Sequence, residues 1–224
     1  MTKTIQLFAG YDPREKIGFH VFAESVISRA SRLVSITPLA QCGLDSGSNA
    51  FTLSRFLVPY ICGFKGHAIF VDGSDMLCLS DIAELDSLFD DRYAVQVVKH
   101  PTYTSKHERK YVGTSMECAQ SNYDRKNWVS CMLLNNAHPA WSAATPDLIS
   151  RTKPIDLLQL SNLQPGEIGD LPAEWNVLVD EGQESDGAKI LHWSSGLPFF
   201  SHYQNTERSR DWWDARYKMT DTVI

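Results

Sequence analysis

Residues 66–79 read GHAIFVDGSDMLCL, and they join the pattern of a buried strand to a pair of acids. It contains an apolar run, Ala68–Val71, that ends directly in two acids, Asp72 and Asp75, with only a glycine and a serine between them. An apolar run of this length next to turn residues predicts a strand that is buried on both faces. Two carboxylates held close together at its end repel each other, which is costly unless a cation joins them.

The acid pair has two interpretations when only its own residues are considered. Hard divalent cations such as Mg²⁺ and Mn²⁺ prefer oxygen ligands, and they often bridge protein carboxylates to substrate phosphates. Alternatively, Asp72 and Gly73 form a turn, and either Asp75 or Asp81 caps the helix that follows. The local sequence leaves both interpretations open.

Along the rest of the chain, strand patterns alternate with helix patterns. The predicted strands are residues 4–10, 33–39, 67–71, 93–99, 128–135, 175–179 and 189–193, and the predicted helices are residues 13–30, 51–62, 81–89, 145–151, 155–160 and 206–219. This alternation predicts an α/β fold with a mostly parallel central sheet flanked by helices. Such sheets bind ligands at the carboxyl ends of their strands, which is where Asp72 and Asp75 lie.

The start of the first helix is predicted from a capping pattern. Asp12 is placed at the N-cap, Pro13 at the first helical position and Glu15 at the third. Each of these residue types is favoured at its position, because the acids accept free backbone N–H groups and proline lacks one.

Composition limits the class of protein. The 224 residues carry a net charge of −6 and no long Lys/Arg run, which argues against a nucleic-acid partner. They suffice for one domain, 1–224. No apolar run approaches the roughly 20 residues that a membrane span needs, so no integral membrane segment is expected. Five cysteines without a CxxC pair favour reduced thiols and a cytoplasmic location.

Residues 69–85, IFVDGSDMLCLSDIAEL, resemble the DxD segment of GT-A fold glycosyltransferases, in particular glycosyltransferase family 8. The family form has one residue between the acids, whereas here Gly73 and Ser74 both lie between them. The resemblance implies that Asp72 and Asp75 bind Mn²⁺ or Mg²⁺, with Gly73 and Ser74 beside the nucleotide sugar. In the alternative arrangement, Ser74 or a water takes one of the two ligand places.

Two further segments resemble the nucleotide-binding parts of that family. Residues 8–15, FAGYDPRE, resemble its first strand and turn, which implies that Ala9, Tyr11 and Asp12 line a uridine pocket. Residues 51–61, FTLSRFLVPYI, resemble its Arg-bearing helix, which implies that Arg55 reaches the nucleotide sugar. An exposed helix arginine is the alternative interpretation of Arg55.

The strand segment RKNWVSCMLLNNAHP, residues 125–139, resembles the floor beneath the donor sugar. The resemblance implies that Asn127 contacts the sugar and that Arg125 and Lys126 lie near the diphosphate. The segment EIGDLPAEWNVLV, residues 167–179, resembles a further family segment, and in it we interpret Trp175 as a core residue and Asn176 as a turn residue.

Residues 188–200, AKILHWSSGLPFF, resemble the family's C-terminal His-x-x-Gly-x-x-Lys motif, although the loop is shorter here. The resemblance implies that His192 is the third metal ligand and that Gly196 lies at the donor. Leu197 stands in the place of the family lysine. The diphosphate charge must then be met by the metal together with Arg55, Lys99, Arg125 or Lys126.

Together these segments imply a metal-dependent, retaining transfer of glucose or galactose from a UDP-sugar to an acceptor hydroxyl. A double displacement needs a carboxylate nucleophile, for which Asp124 is the candidate, whereas front-face attack needs none. Arg55 and Asn127 complete the predicted catalytic set. The long polar stretch 100–126 is predicted to close over the donor.

Three other classes of protein remain as alternatives. A sugar-nucleotide nucleotidyltransferase is expected to carry a Gly-rich loop after its first strand, and GYDPREK lacks those glycines. A non-catalytic glycan- or nucleotide-binding module would suit the aromatic content of 11%. A hydrolase would release free phosphate, which a glycosyltransferase does not.

Overall fold

The computed structural model describes residues 3–40, 43–44, 48–101 and 103–220. The strands are β1 (Ile5–Gly10), β2 (Val34–Leu39), β3 (His67–Val71), β4 (Met76–Cys78), β5 (Val95–Val97), β6 (Arg109–Lys110), β7 (Cys118–Ala119), β8 (Cys131–Asn135), β9 (Ile168–Asp170), β10 (Val177–Leu178) and β11 (Ile190–His192). The α-helices are α1 (Lys16–Ile27), α2 (Val58–Ile61), α3 (Ile82–Asp86), α4 (Pro146–Arg151), α5 (Pro154–Leu158) and α6 (Ser209–Thr220).

The central sheet has six strands in the order β2-β1-β3-β8-β5-β9. Only β8 runs against its neighbours, so five of the six strands point the same way. This confirms the predicted α/β fold with a mostly parallel central sheet. A second sheet of three strands, β10-β11-β4, and a two-stranded ribbon, β6-β7, complete the architecture.

Strand β3 is buried on both faces, as its apolar run predicts. Ala68 and Phe70 pack into the apolar cluster on one side of the central sheet. Ile69 and Val71 pack into the cluster on the other side. Because the side chains of a strand alternate between faces, this one strand contributes to both cores.

The predicted start of the first helix is wrong. Helix α1 begins at Lys16 and ends at Ile27, so it is shorter at both ends than predicted. The Asp12 carboxylate does not cap it but accepts the backbone N–H groups of Arg14 and Ala50, each at 2.9 Å. The contact with Ala50 is long-range, and a local capping pattern cannot anticipate it.

Several other elements are shorter than the sequence patterns predict. Residues 51–62 contain a 3₁₀ turn, Ser54–Leu57, before α2. Residues 128–130 form another 3₁₀ turn before β8.

The stretch 100–126 carries the ribbon β6-β7. None of the helices in the described part of the chain has the length and apolar character that crossing a membrane requires.

The loop that joins β3 to β4 is held between β1 and α1. A Cβ atom placed on Gly18 of α1 would lie 1.8 Å from the carbonyl oxygen of Ser74. One placed on Gly10 of β1 would lie 2.6 Å from the carbonyl oxygen of Asp72. Both contacts are with backbone, which cannot rotate away, so the loop that carries the acid pair requires glycine on both sides.

We expect Gly18→Ala to lower the free energy of unfolding by about 1–3 kcal/mol, because the added methyl group forces α1 away from the loop. In an ordinary helix interior the same substitution stabilises by about 0.5–1 kcal/mol. Urea unfolding monitored by circular dichroism measures the change. Gly166→Ala is the control, since its Cβ would meet no atom within 4 Å. A Gly18→Ala variant as stable as the wild type would contradict this packing.

Candidate active site

The acid pair lies on a tight turn between the central sheet and the second sheet. The N–H of Asp72 donates to the Ser130 carbonyl at 2.9 Å, and the N–H of Ser74 donates to the Asp72 carbonyl at 2.8 Å. Gly73 adopts a φ of +74°, in the left-handed region that favours glycine. With this turn, the chain accommodates the second residue between the acids.

Strand β11 brings a histidine to the same place. His192 pairs in register with Met76, the residue after Asp75. Its Nε2 atom lies 3.5 Å from Oδ2 of Asp75. One ligand atom from each of Asp72, Asp75 and His192 can be chosen so that all three lie within 4.8 Å of one another. The structure therefore brings together the three residues that the sequence proposed as metal ligands.

The residues present fit a hard divalent cation. Burial raises the pKa of the Asp72 carboxyl to about 6; the charge of Arg55 opposes this shift, and the charge of Asp75 adds to it. Oδ1 of Asp75 is buried and has no hydrogen-bond partner among the described residues. Two carboxylates and one imidazole form an O,O,N donor set that suits Mn²⁺ or Mg²⁺. A cation would offset the cost of burying these charges together.

A buried amide orients the histidine. Nδ1 of His192 lies 2.8 Å from Oδ1 of Asn176. The Nδ2 of the same amide donates to the Asn127 carbonyl at 3.1 Å, which leaves Oδ1 as the acceptor. In the neutral form of His192 the proton is therefore placed on Nδ1, which leaves the lone pair of Nε2 for a cation. Burial lowers the pKa of His192, but the charge and hydrogen bond of Asp75 outweigh it and the pKa is raised.

The sequence interpretation of Asn176 as a turn residue missed this contact. Asn176 is fully buried and also lies 3.2 Å from Nε2 of His100. Burial, with the nearby charge of His192, lowers the pKa of His100 to about 4. His100 is therefore neutral, and its Nε2 accepts a hydrogen bond from the Asn176 amide.

Arg55 is a counter-ion inside the site rather than an exposed helix residue. Its Nη1 atom lies 2.6 Å from Oδ1 of Asp72 and donates to the Val129 carbonyl at 3.0 Å. The guanidinium also lies over the rings of Phe51 and Phe70, at 5.4 and 5.1 Å from their centroids. These contacts fix the Asp72 carboxylate at one edge of the cluster.

Two adjoining cavities open beside the cluster. The inner cavity, of about 80 Å³, is lined by Arg55, Asp72, Asp75 and His192. The outer cavity, of about 410 Å³, is lined by Gln120, Lys126 and Pro154. The two share a wall that contains Ser48, Thr52, Lys110, Tyr123, Asn127, Leu158 and Ser194.

Asn127 and Lys126 reach these cavities, as their predicted roles require. Asn127 adopts a left-handed φ of 62°, and its Nδ2 is buried without a partner among the described residues. Nζ of Lys126 donates to Oε1 of Gln120 at 2.9 Å and also to the Ser121 carbonyl. Burial, and then the charge of Lys110, lower the pKa of Lys126 to about 8.

Three other predicted residues lie away from the cluster. Lys99 pairs with Asp170 at 2.8 Å and lines a separate cavity. Nη1 of Arg125 donates to the Gln159 carbonyl at 2.8 Å. Asp124 is exposed and lines neither the inner nor the outer cavity.

The predicted uridine contacts are also turned away from both cavities. Ala9 is fully buried beneath Gly73. Tyr11 packs edge-on against Phe19, with ring centroids 5.4 Å apart. Asp12 is occupied by the backbone contacts described above and by Arg14, whose Nη2 lies 2.6 Å away. In the described part of the chain, therefore, none of the three lines the inner or outer cavity.

Two further small residues with predicted donor contacts have structural partners instead. The hydroxyl of Ser74 is buried and donates to the Gly10 carbonyl at 3.2 Å. Gly196 lies against the ring of Tyr203, where a Cβ atom would be 2.3 Å from the nearest ring carbon. Ser74 therefore ties the turn between the acids to β1. Gly196 allows the segment after His192 to pack against Tyr203.

Glu15 is a buried acid near the site that sequence reasoning assigned to a helix cap. Both of its carboxyl oxygens are buried without a partner among the described residues. Burial, and then the charges of Asp75 and Asp12, raise its pKa well above the usual range. This environment therefore favours the neutral form of the Glu15 carboxyl over the ionised one. Nothing in its local pattern distinguishes it from an ordinary N-terminal glutamate.

Comparison with known proteins finds similarity to this chain in sequence and in fold. No family model matches the chain. The chain is 35% identical over 226 residues to Protein CDI of Arabidopsis thaliana, and the match covers 94% of this chain and 85% of that protein.

Solved structures share the fold at low identity. The galactosyltransferase LgtC, in complex with donor and acceptor sugar analogs, matches with a TM-score of 0.61 and 12% identity over 96% of each chain. The glycosyltransferase GlyE of Streptococcus pneumoniae TIGR4 matches with a TM-score of 0.63 and 14% identity over 96% of this chain and 60% of its own. The chain spans 52% of the bifunctional glycosyltransferase WbbM, with a TM-score of 0.62 and 14% identity.

We expect Asn176→Leu to weaken Mn²⁺ binding by about 10–100-fold, because His192 loses the acceptor that sets its tautomer and ring orientation. Isothermal titration with Mn²⁺ in the absence of nucleotide measures the affinity, and circular dichroism checks the fold. Asn205→Leu, at an exposed position, is the control. The milder Asn176→Asp keeps an acceptor for Nδ1 and should retain more affinity than Asn176→Leu. Unchanged Mn²⁺ binding in Asn176→Leu would contradict this role.

Proposed function

The chain belongs to glycosyltransferase family 8 of the GT-A fold, and from this premise we propose that it transfers glucose or galactose from a UDP-sugar to an acceptor hydroxyl with release of UDP. The observation that carries the proposal is the cluster of Asp72, Asp75 and His192 beside a cavity at the carboxyl end of β3. This edge of the sheet is where open α/β folds bind their ligands.

The three clustered residues would hold a divalent cation, Mn²⁺ or Mg²⁺. When bound, such a cation acts as a Lewis acid and neutralises charge on the departing diphosphate. The protein positions the cluster from both sides, since Arg55 holds Asp72 and Asn176 holds His192. The ligand atoms therefore require little rearrangement before the donor binds.

Asn127 is the residue that we assign to the donor sugar. Its Nδ2 group is buried with no partner in the ranges that the structure describes, and its side chain belongs to the wall shared by the two cavities. An unpaired buried amide is costly, and a sugar hydroxyl would satisfy it. The acceptor would then reach the donor sugar through the outer cavity, whose lining includes Gln120 and Lys126.

The chemistry that this site supports best is front-face attack with retention at the anomeric carbon. Among the described residues, the inner cavity is lined by no carboxylate other than Asp72 and Asp75, and both are needed as ligands. Asp124, the candidate nucleophile for a double displacement, is exposed and lies outside both cavities. In front-face attack the departing phosphate takes the acceptor proton, so no protein nucleophile is required.

Incubation with a panel of UDP- and GDP-sugars, with and without Mn²⁺, tests the function through nucleoside diphosphate release. We expect metal-dependent UDP release from one hexose donor. Asp72→Ala, Asp75→Ala and His192→Ala should each lower the rate on the order of a hundredfold or more, because charge on the departing UDP is no longer offset.

Asp147→Ala is the matched control for these variants, because Asp147 is exposed and pairs with Arg151 away from the cluster. Folded protein that binds UDP but releases none, with any acceptor supplied, would favour a non-catalytic nucleotide-binding module. Release of free phosphate would favour a hydrolase, and formation of sugar nucleotide from a sugar phosphate would favour a nucleotidyltransferase.

The stereochemical proposal has its own test. We expect Asp124→Asn to retain transfer activity within about threefold of the wild type, because an exposed side chain outside both cavities is no nucleophile. Steady-state kinetics with the donor identified above measures the effect. A loss of about a hundredfold or more, as removal of a true nucleophile causes, would instead support a double displacement through Asp124.

A further inference from the structure

The place where the family carries a lysine is apolar in this chain. Leu197 is fully buried and packs with Trp193 and Trp212 in the apolar cluster beneath the second sheet. No charge can be supplied from this position. A bound diphosphate therefore needs a cation from another part of the chain.

The four cations that the sequence offered for this role are engaged elsewhere. Arg55 is the counter-ion of Asp72, and Lys99 is paired with Asp170 outside the site. Arg125 donates to a backbone carbonyl of residue 159. Lys126 lines the outer cavity, but its ammonium already donates to two oxygens of residues 120 and 121.

Lys110 is a cation that the sequence reasoning missed, and it lines both cavities. Its ammonium lies over the ring of Tyr111, 4.9 Å from the centroid. In the described ranges, it has neither a hydrogen-bond nor an ion-pair partner. It stands on the wall where the inner cavity, with the acid cluster, meets the outer one.

The positive charge of the Lys110 ammonium affects the pKa of a neighbouring lysine. Its charge adds to burial in lowering the pKa of Lys126 to about 8. Lys110 lines the inner cavity together with the acid cluster and the outer cavity together with Lys126. The two ammonium groups repel each other at the wall of the outer cavity. A bound anion would offset this repulsion.

The backbone around Lys110 is tied to the same loop that lacks the lysine. The N–H of Tyr111 donates to the Ser195 carbonyl at 2.7 Å, and the N–H of Val112 donates to the hydroxyl of Tyr203 at 3.0 Å. Lys110 itself pairs in register with Cys118 in the ribbon. The ribbon thus holds Lys110 over the segment that follows His192.

We propose that Lys110 binds the diphosphate of the nucleotide-sugar donor, replacing the lysine that the C-terminal segment lacks. This inference rests on the proposed function. The diphosphate bridges the acid cluster, with its bound cation, to the ammonium of Lys110. Lys126 adds charge from the outer cavity, and the nucleoside makes no contact with Lys110.

Isothermal titration of the full chain in the presence of Mn²⁺ tests the inference with three probes: UDP, uridine and inorganic pyrophosphate. We expect Lys110→Gln to weaken UDP and pyrophosphate binding by about tenfold or more, the usual effect of losing a charge-assisted hydrogen bond. Uridine binding should not change, and Lys110→Arg should restore most of the lost affinity.

Lys106→Gln is the matched control, since it makes the same charge change on an exposed residue that lines neither cavity. It should bind all three probes as the wild type does. Wild-type binding of UDP that Lys110→Gln leaves unchanged would overturn the role of Lys110 and leave the proposed function standing. Wild-type protein that binds neither UDP nor pyrophosphate would overturn both.

Discussion

The burial of two carboxylates next to an imidazole is the constraint on which the rest of the structure depends. The ligand atoms of Asp72, Asp75 and His192 lie within 4.8 Å of one another, at the junction of two sheets. Desolvation and mutual repulsion make this arrangement unfavourable by itself. The surrounding fold holds Asp72 through Arg55 and His192 through Asn176, and among the described residues it leaves Oδ1 of Asp75 without a hydrogen-bond partner, which a divalent cation would supply.

Backbone packing also holds the loop that carries the acid pair. The loop that carries the acids is held between β1 and α1 at two positions where only glycine fits. Its ends belong to different sheets, because Asp72 donates to the carbonyl of Ser130 and Trp193 donates to the carbonyl of Asp75. A second residue between the acids is tolerated because Gly73 adopts a left-handed conformation and closes a tight turn.

The polar segment 100–126 is an integral part of the site. It contributes Lys110, Tyr123 and Lys126 to the cavities, and its ribbon hydrogen-bonds to the loop after His192. The charge that the family places next to its histidine is thus moved, in this chain, to a neighbouring element that reaches the same cavity wall. Binding a diphosphate requires an ammonium group at a particular place in the cavity. Residues at several positions along the chain can put an ammonium group there.

The sequence by itself determined the α/β class, the doubly buried β3 and the acid pair at its end, because each depends on local periodicity and on residues close along the chain. Resemblance added His192. Tertiary structure alone decided that Asn176 orients His192, that Asp12 serves Ala50 rather than α1, that Lys99 lies outside the site, and that Lys110 lies inside it. These outcomes depend on which distant segments pack together. A hydrogen bond such as that between Asp12 and Ala50, 38 residues apart, leaves no periodic signal in the sequence.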